Sequence, residues 1–266
     1  MRFTKMQGLG NDYVYVNCFE ESVEAPEQMA KRLSDRHFGV GADGLILIKP
    51  SKNADCRMEM YNADGSRGAM CGNGIRCVAK YVYEASLVRR RKMAVETDSG
   101  VRFLTCRVRN GKVHLVDVDM GIPLIMERDF LEWKGETLFF TPVDMGNPHV
   151  VLFYTDVDSL DLFNLGPAVE LHPKFPDRTN VEFVQILDER NMKLRVWERG
   201  SGETLACGTG ACAACAAAVS MGIMKRKIMV HLKGGDLEIT WPGTEEAMMM
   251  TGPAVEVFRG EIAGWT

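Results

Sequence analysis

The chain contains its own plan twice, and no other feature constrains its fold as much. Cys71-Gly72-Asn73-Gly74 is answered by Cys207-Gly208-Thr209-Gly210, 136 positions later (207 − 71). The same offset sets Gly10-Asn11-Asp12-Tyr13-Val14 against Gly146-Asn147-Pro148-His149-Val150, residues 57–61 against 193–197, and Asn62 against Glu198. After the cysteine blocks the register drifts, Gly100 meeting Gly235 and Gly121 meeting Gly252, as changes in loop length produce. Three segments held in one register, each carrying Gly, Asn or Cys, point to a duplicated domain. The expected domains are 1–117 and 118–254, with 255–266 left over as an extra strand that rejoins the first. A chain of 266 residues is long enough for each domain to bury a core of its own.

Within each copy, alternation and turn residues predict many short strands and few helices. Strands are expected at 3–6 and 13–17 around the turn from Gly8 to Asp12, then at 45–48 and 57–61. A helix runs from Pro26 to Ser34, with Pro26 and Glu27 in its first turn. A second helix follows Cys71 and reaches about Glu84, and hairpin turns fall near Ser99 and at Asn110-Gly111. The fold class is therefore α/β in the broad sense (α+β), as two pseudo-symmetric domains.

Charge and composition remove several classes of function. A net charge of −4 argues against a nucleic-acid surface. The basic run from Arg89 to Lys92 is too short for a polyanion site and reads as a solvated face. The first residues lack the apolar core of a signal peptide. The stretch 205–224, rich in Ala, Gly and Cys, reads as a packed core helix and not a membrane span. A cytoplasmic protein with no membrane partner is expected. Of eight cysteines, only Cys212 and Cys215 form a CxxC pair; it lies mid-helix and has no second pair for zinc. These two, with Cys18, Cys56, Cys77 and Cys106, read as small buried residues, and no metal is expected.

Cys71 and Cys207 are different, because each opens a helix through Gly-x-Gly. The positive end of a helix dipole favours thiolate over thiol, and the unpaired N–H groups of the first turn bind anions. Two such units facing one cleft suit inversion at a carbon acid. One thiolate takes the α-proton, the other thiol supplies one, and the N–H groups stabilise the charge that develops.

The blocks Asn62-Ala63-Asp64-Gly65-Ser66, Met70 to Cys77, and Glu198-Arg199-Gly200-Ser201-Gly202-Glu203-Thr204-Leu205-Ala206-Cys207-Gly208-Thr209-Gly210 closely resemble the diaminopimelate epimerase family. Gly8 to Tyr13, Met145 to His149, and Asn180 to Phe183 extend the resemblance, in the family order, over nearly the whole chain. Proline-racemase-like relatives share the paired cysteines but lack the Glu-Arg-Gly-x-Gly-Glu-Thr block. The resemblance implies two similar domains, each a barrel-like sheet wrapped around a central helix. It also implies a cofactor-independent epimerase that turns LL-2,6-diaminoheptanedioate into the meso form, for lysine and peptidoglycan synthesis, and commonly a homodimer. Carried over by motif, Cys71 and Cys207 are the acid/base pair. Gly72, Asn73, Gly208 and Thr209 hold the reacting carboxylate through their backbone. Asn11, Asn62, Asn147, Asn180, Glu198 and Arg199 bind substrate, and His149 and Glu198 tune the thiols. Gly44 stands where some members carry Gln, and glycine has no side chain to bind with.

Plainer readings stand beside these. Asn11, Asn62 and Asn147 lie in turns, where Asn commonly serves the backbone. Glu198 and Arg199 read equally as an exposed pair, and His149 as a structural histidine. A two-lobed amino-acid-binding protein would need the anion site but not both thiols. A nucleotide-phosphate site at the two cysteine turns would need the Lys-Ser/Thr of a P-loop or a full Gly-x-Gly-x-x-Gly, and neither turn has one. If the two cysteines converge, oxidation to a Cys71–Cys207 disulfide is a further expectation, provided their Cα atoms lie within about 7 Å.

Overall fold

The computed structural model describes residues 1–263, so the end of the expected extra strand (264–266) lies outside the described residues. The chain divides into two compact units, one of residues 1–118 with the segment from Gly252 onward, the other of residues 119–251.

The first unit begins with β1 (Arg2–Gly8) and β2 (Asn11–Asn17), joined through Leu9 and Gly10. Both connecting residues have positive φ, 57° and 83°, the left-handed pair that a two-residue hairpin needs to match strand twist. Next come α1 (Pro26–Ser34), β3 (Gly44–Lys49), β4 (Cys56–Asn62), the short β5 (Arg67–Gly68) and α2 (Gly72–Glu84). The meander β6 (Lys92–Thr97), β7 (Gly100–Arg109) and β8 (Lys112–Asp119) follows.

The second unit repeats the order after two short strands. It runs β9 (Leu124–Ile125), β10 (Asp129–Trp133), β11 (Glu136–Asp144), β12 (Pro148–Phe153), α3 (Leu162–Glu170), β13 (Asn180–Ile186), β14 (Asn191–Glu198), β15 (Gly202–Thr204), α4 (Gly208–Ser220), β16 (Lys227–Leu232), β17 (Gly235–Thr240) and β18 (Met249–Pro253). The last strand, β19 (Val255–Glu261), lies antiparallel to β1.

Strand pairing follows one scheme in both units. In the first the order is β19-β1-β2-β3-β4-β6-β7-β8, with parallel joints at β2–β3 and β4–β6. In the second, β11-β12-β13-β14-β16-β17-β18 has its parallel joints at β12–β13 and β14–β16. A parallel joint needs a crossover, and the helices supply it: α1 and α3 at the first joint, α2 and α4 at the second. β11 takes the place of β1, whereas β10, which the sequence pattern did not single out and which pairs with β11, has no counterpart in the first unit.

Each unit wraps its strands around one helix. α2 packs on β1, β2, β6 and β7, strands from both ends of the row, so the sheet curls about it. α4 packs likewise on β11, β12, β13, β14 and β17. Its buried Ala211, Cys212, Ala213, Ala214, Cys215, Ala216, Ala217 and Ala218 let backbone come close on every side. The CxxC pair is therefore packing, as expected. A second apolar layer lies on the other face of each sheet. Val14, Val16, Leu45, Leu47 and Tyr61 pack with Ala30 and Leu33 of α1. Val150, Leu152, Val181 and Phe183 pack with Leu162, Leu165 and Val169 of α3.

Of the charged residues in α2 (Arg76, Lys80 and Glu84), the first is the most deeply buried. Arg76 is wholly buried, and its guanidinium donates to the carbonyl of Pro253 at 3.0 Å, the carbonyl of Gly72 at 3.0 Å and Asn73 Oδ1 at 2.9 Å. It ties the first turn of the helix to the chain that returns from β18. Removing it strands buried acceptors, so Arg76→Leu is expected to lower stability by about 3 kcal/mol, seen as a lower urea midpoint. An unchanged midpoint would mean that the acceptors find other partners.

Candidate active site

Both conspicuous cysteines are N-cap residues. Cys71 (φ −130°) precedes α2 and Cys207 (φ −120°) precedes α4. Each sulfur accepts the backbone N–H of the third residue on, Gly74 at 3.3 Å and Gly210 at 3.4 Å. The extended backbone of a cap turns the side chain back over the first turn, as Ser or Asp does at other helix starts. Glycine at the third position is compelled by packing. A Cβ at Gly74 would lie 2.7 Å from Ile46 Cδ1, and one at Gly210 would lie 2.6 Å from Glu182 Oε1. Gly72, Asn73, Gly208 and Thr209 occupy the first two helical positions, where backbone N–H groups have no partner within the helix.

In the first unit the Cys71 thiol donates to Asn11 Oδ1 at 3.2 Å. Asn11 is held in that sense because its Nδ2 donates to Asp43 Oδ2 at 2.8 Å. Asp43 also accepts the backbone N–H of Asp12 at 3.1 Å and pairs with Arg36 at 3.0 Å, while Asp12 pairs with Lys5 at 2.6 Å. Burial raises the Asp43 carboxyl above its ordinary range, and the Asn11 hydrogen bond opposes that. Asn62 ends β4 and donates to Ser66 Oγ at 3.0 Å. Tyr13, Gly44 and Asn62 form one row across β2, β3 and β4. Asn73 turns its side chain back to Arg76.

The second unit is more acidic. His149, Asn180 and Glu198 make the equivalent row across β12, β13 and β14. Burial pushes the Glu198 carboxyl up, against the Thr204 hydroxyl that donates to it. The helix start was expected to favour the Cys207 thiolate. Burial first, and then the charges of Glu198 and Glu182, instead hold this thiol well above its ordinary range. Asn147 reaches Thr209 Oγ1 at 3.5 Å and His149 Nε2 at 3.0 Å. Asn180 serves the backbone, donating to the Pro148 carbonyl at 2.8 Å and accepting from the Arg199 N–H at 3.0 Å. Arg199 Nη1 donates to the Asp177 carbonyl at 3.2 Å.

Three residues around the thiols escaped the sequence reading. Asp43 orients Asn11, Thr204 holds Glu198, and the wholly buried Glu182 pairs with His149 at 2.8 Å. The duplication carried a signal for Glu182, since the offset of 136 sets it against the apolar Ile46. Among the described residues no group of His, Cys, Asp and Glu is arranged to hold a metal ion. No helix among them is long and apolar enough to cross a membrane.

A family model described as diaminopimelate epimerase matches residues 3–125 and 141–257. The chain is 51% identical to the diaminopimelate epimerase of Acetivibrio thermocellus, over 98% of each chain. It is 48% identical to that of Methanococcus maripaludis strain S2, over 98% of this chain and 99% of the relative. Among solved structures, a probable proline racemase of Agrobacterium radiobacter K84 superposes with a TM-score of 0.75 at 15% identity, covering 98% of this chain and 92% of that one. A Bacillus anthracis protein of the PhzF family gives a TM-score of 0.75 at 15% identity, over 98% of each. At such identity these two share the fold alone.

Gly44, the departure noted in the sequence, has a structural cause. A Cβ there would run into the Tyr61 carbonyl and lie 2.8 Å from Tyr13 Cε1. A side chain at 44 thus forces β3 and β4 apart at the row that carries Asn62. Gly44→Ala is expected to cost about 2 kcal/mol, read as a lower melting temperature; an unchanged one would show that the strands yield freely.

Proposed function

The chain belongs to the diaminopimelate epimerase family, and on that premise we infer that it is a PLP-independent isomerase of the lysine pathway. It interconverts the LL and meso forms of diaminopimelate, with Cys71 and Cys207 as its two acid/base groups. The observation that carries the mechanism is the matched pair of N-cap thiols, each with its sulfur against the third backbone N–H of a buried helix.

Inversion requires a proton to leave one face of the α-carbon and another to arrive at the opposite face. One cysteine acts as thiolate and the other as thiol, and they exchange roles with the direction of reaction. First-turn N–H groups at Gly72, Asn73, Gly208 and Thr209, which lie at the helix starts, suit the reacting carboxylate, whose charge rises as the proton departs. Arg199 offers a guanidinium for the distal carboxylate. Asn11, Asn62, Asn147 and Asn180 offer donors and acceptors without net charge. A substrate with two ammonium and two carboxylate groups satisfies such a set, and a shorter amino acid leaves part of it unpaired. His149 and Glu198 adjust the Cys207 side of the exchange. The protein acts in the cytoplasm as a homodimer.

The test is proton NMR of LL-diaminopimelate with the reduced protein in deuterated water. Loss of the α-proton signal as meso product appears is expected, and Cys71→Ala and Cys207→Ala should each abolish net interconversion. Full activity in either variant would end the two-thiol mechanism, and tight binding without exchange would favour a binding protein.

A pH profile adds a second check. The Glu198 charge holds the Cys207 thiol up, so Glu198→Gln should let it ionise at lower pH. The rising limb of the rate in the direction that uses the Cys207 thiolate then moves toward acid. A shift toward alkali would contradict that assignment.

A further inference from the structure

We propose that Glu182 is a positioning residue for Cys207: paired with His149, it sets the direction of a hydrogen-bond chain through Asn147 and Thr209 that ends with a donor at the sulfur. The proposal rests on the reading of Cys207 as an acid/base group.

The chain lies wholly within the second unit. His149 Nδ1 is 2.8 Å from Glu182 Oε1, and His149 Nε2 is 3.0 Å from Asn147 Oδ1. Asn147 Nδ2 is 3.5 Å from Thr209 Oγ1, which is 3.4 Å from the Cys207 sulfur. Asn147 turns its Oδ1 to His149 Nε2 and its Nδ2 to Thr209, an arrangement in which Nε2 is the donor. Glu182 fixes the ring from the other side, at Nδ1. The Asn147 amide then presents its NH₂ to Thr209, and the Thr209 hydroxyl keeps its own proton for the sulfur. With Nε2 as an acceptor instead, the amide must turn over, and Thr209 accepts from the thiol. The direction of the chain thus favours thiolate or thiol at Cys207 according to whether Nε2 donates or accepts.

Two observations set Glu182 apart from a packing residue. Its Oε2 is buried without a hydrogen-bond partner, a costly arrangement for a residue kept only to fill space. Its counterpart under the Cys71 helix is Ile46, which fills the corresponding place against Gly74 as Glu182 does against Gly210. The first unit has Asn11 and Asp43 beside its thiol and no histidine at the position of His149, where Tyr13 stands. The His149–Glu182 pair therefore serves one thiol of the two.

The ionisable groups facing Cys207 are Glu198 on β14, Glu182 on β13 and His149 on β12. Simple electrostatics and the hydrogen-bond chain make opposite predictions. Removing a negative charge beside Cys207 should ease its ionisation, whereas removing the residue that directs the chain should withdraw a donor from the sulfur.

The experiment is the rate of alkylation of each cysteine by iodoacetamide, read by peptide mass spectrometry on the reduced full-length protein from pH 6 to 10. Wild type is compared with Glu182→Ile, which copies the first unit, with Thr209→Val and with the double variant. We expect Cys207 to slow about fivefold at fixed pH in each single variant, the worth of one hydrogen bond, with Cys71 unchanged. The double variant should be no slower than Thr209→Val, because both changes break one chain. Faster or unchanged alkylation of Cys207 in Glu182→Ile overturns the proposal, and so does full additivity. If Glu182→Ile does not fold, Thr209→Val alone decides, since an unchanged Cys207 there removes the donor on which the proposal depends. The readout does not require turnover, so a wild type that fails to epimerise would defeat the functional reading and leave this result standing.

Discussion

A sulfur at the N-cap of a buried helix answers to two opposed forces. The first-turn N–H groups and the helix dipole favour the anion, while burial disfavours any charge that is not met by hydrogen bonds. Each unit is arranged around that contest. The sheet curls about α2 in one and α4 in the other, which puts each helix in the interior and each cap at the end of the strands. For the caps to form, the strand face beneath the third helical residue must come close, and Gly74 and Gly210 permit it. The contacts to the sulfur are what remain to decide its charge.

Duplication gave both units the frame, and divergence gave them different electrostatics. Arg76 tethers the start of α2 from inside, whereas Cys212 takes the same place in α4, where the helix needs no tether because small residues pack it on every side. Beside Cys71 the polar partner is Asn11, pinned by Asp43. Beside Cys207 the partners are Glu198, Thr209 and, one step back, the His149–Glu182 pair. On the proposed two-thiol mechanism such a difference has a reason, since the LL and meso substrates are not mirror images and the two proton transfers need not be equally hard.

Much of the frame was legible in the residues. The Cys-Gly-x-Gly repeat marked both helix starts, and Pro26 marked the start of α1. The turn residues from Gly8 to Asp12 marked the first hairpin, though its strands run further into the turn than the apolar alternation indicated. β10 escaped because it precedes the point where the second copy begins, so the repeat offers no segment to set against it. Among the candidate site residues, Cys71, Cys207, Asn11 and Glu198 stood out by motif. Asp43 and Glu182 act through a neighbour, and no motif reports which carboxylate will lie against which amide.

The sequence by itself determined the duplication, the two capped helices and the chemical types gathered near the thiols, because these depend on local spacing and on residue identity. Tertiary structure alone decided the balance of charge at Cys207. A thiol at a helix start reads as an easily ionised group when only its neighbours in the chain are counted. Burial under β12, β13 and β14, with two carboxylates brought from distant strands, reverses that sign. The reason is physical: desolvation and Coulomb forces act through space, and space is what the fold assigns.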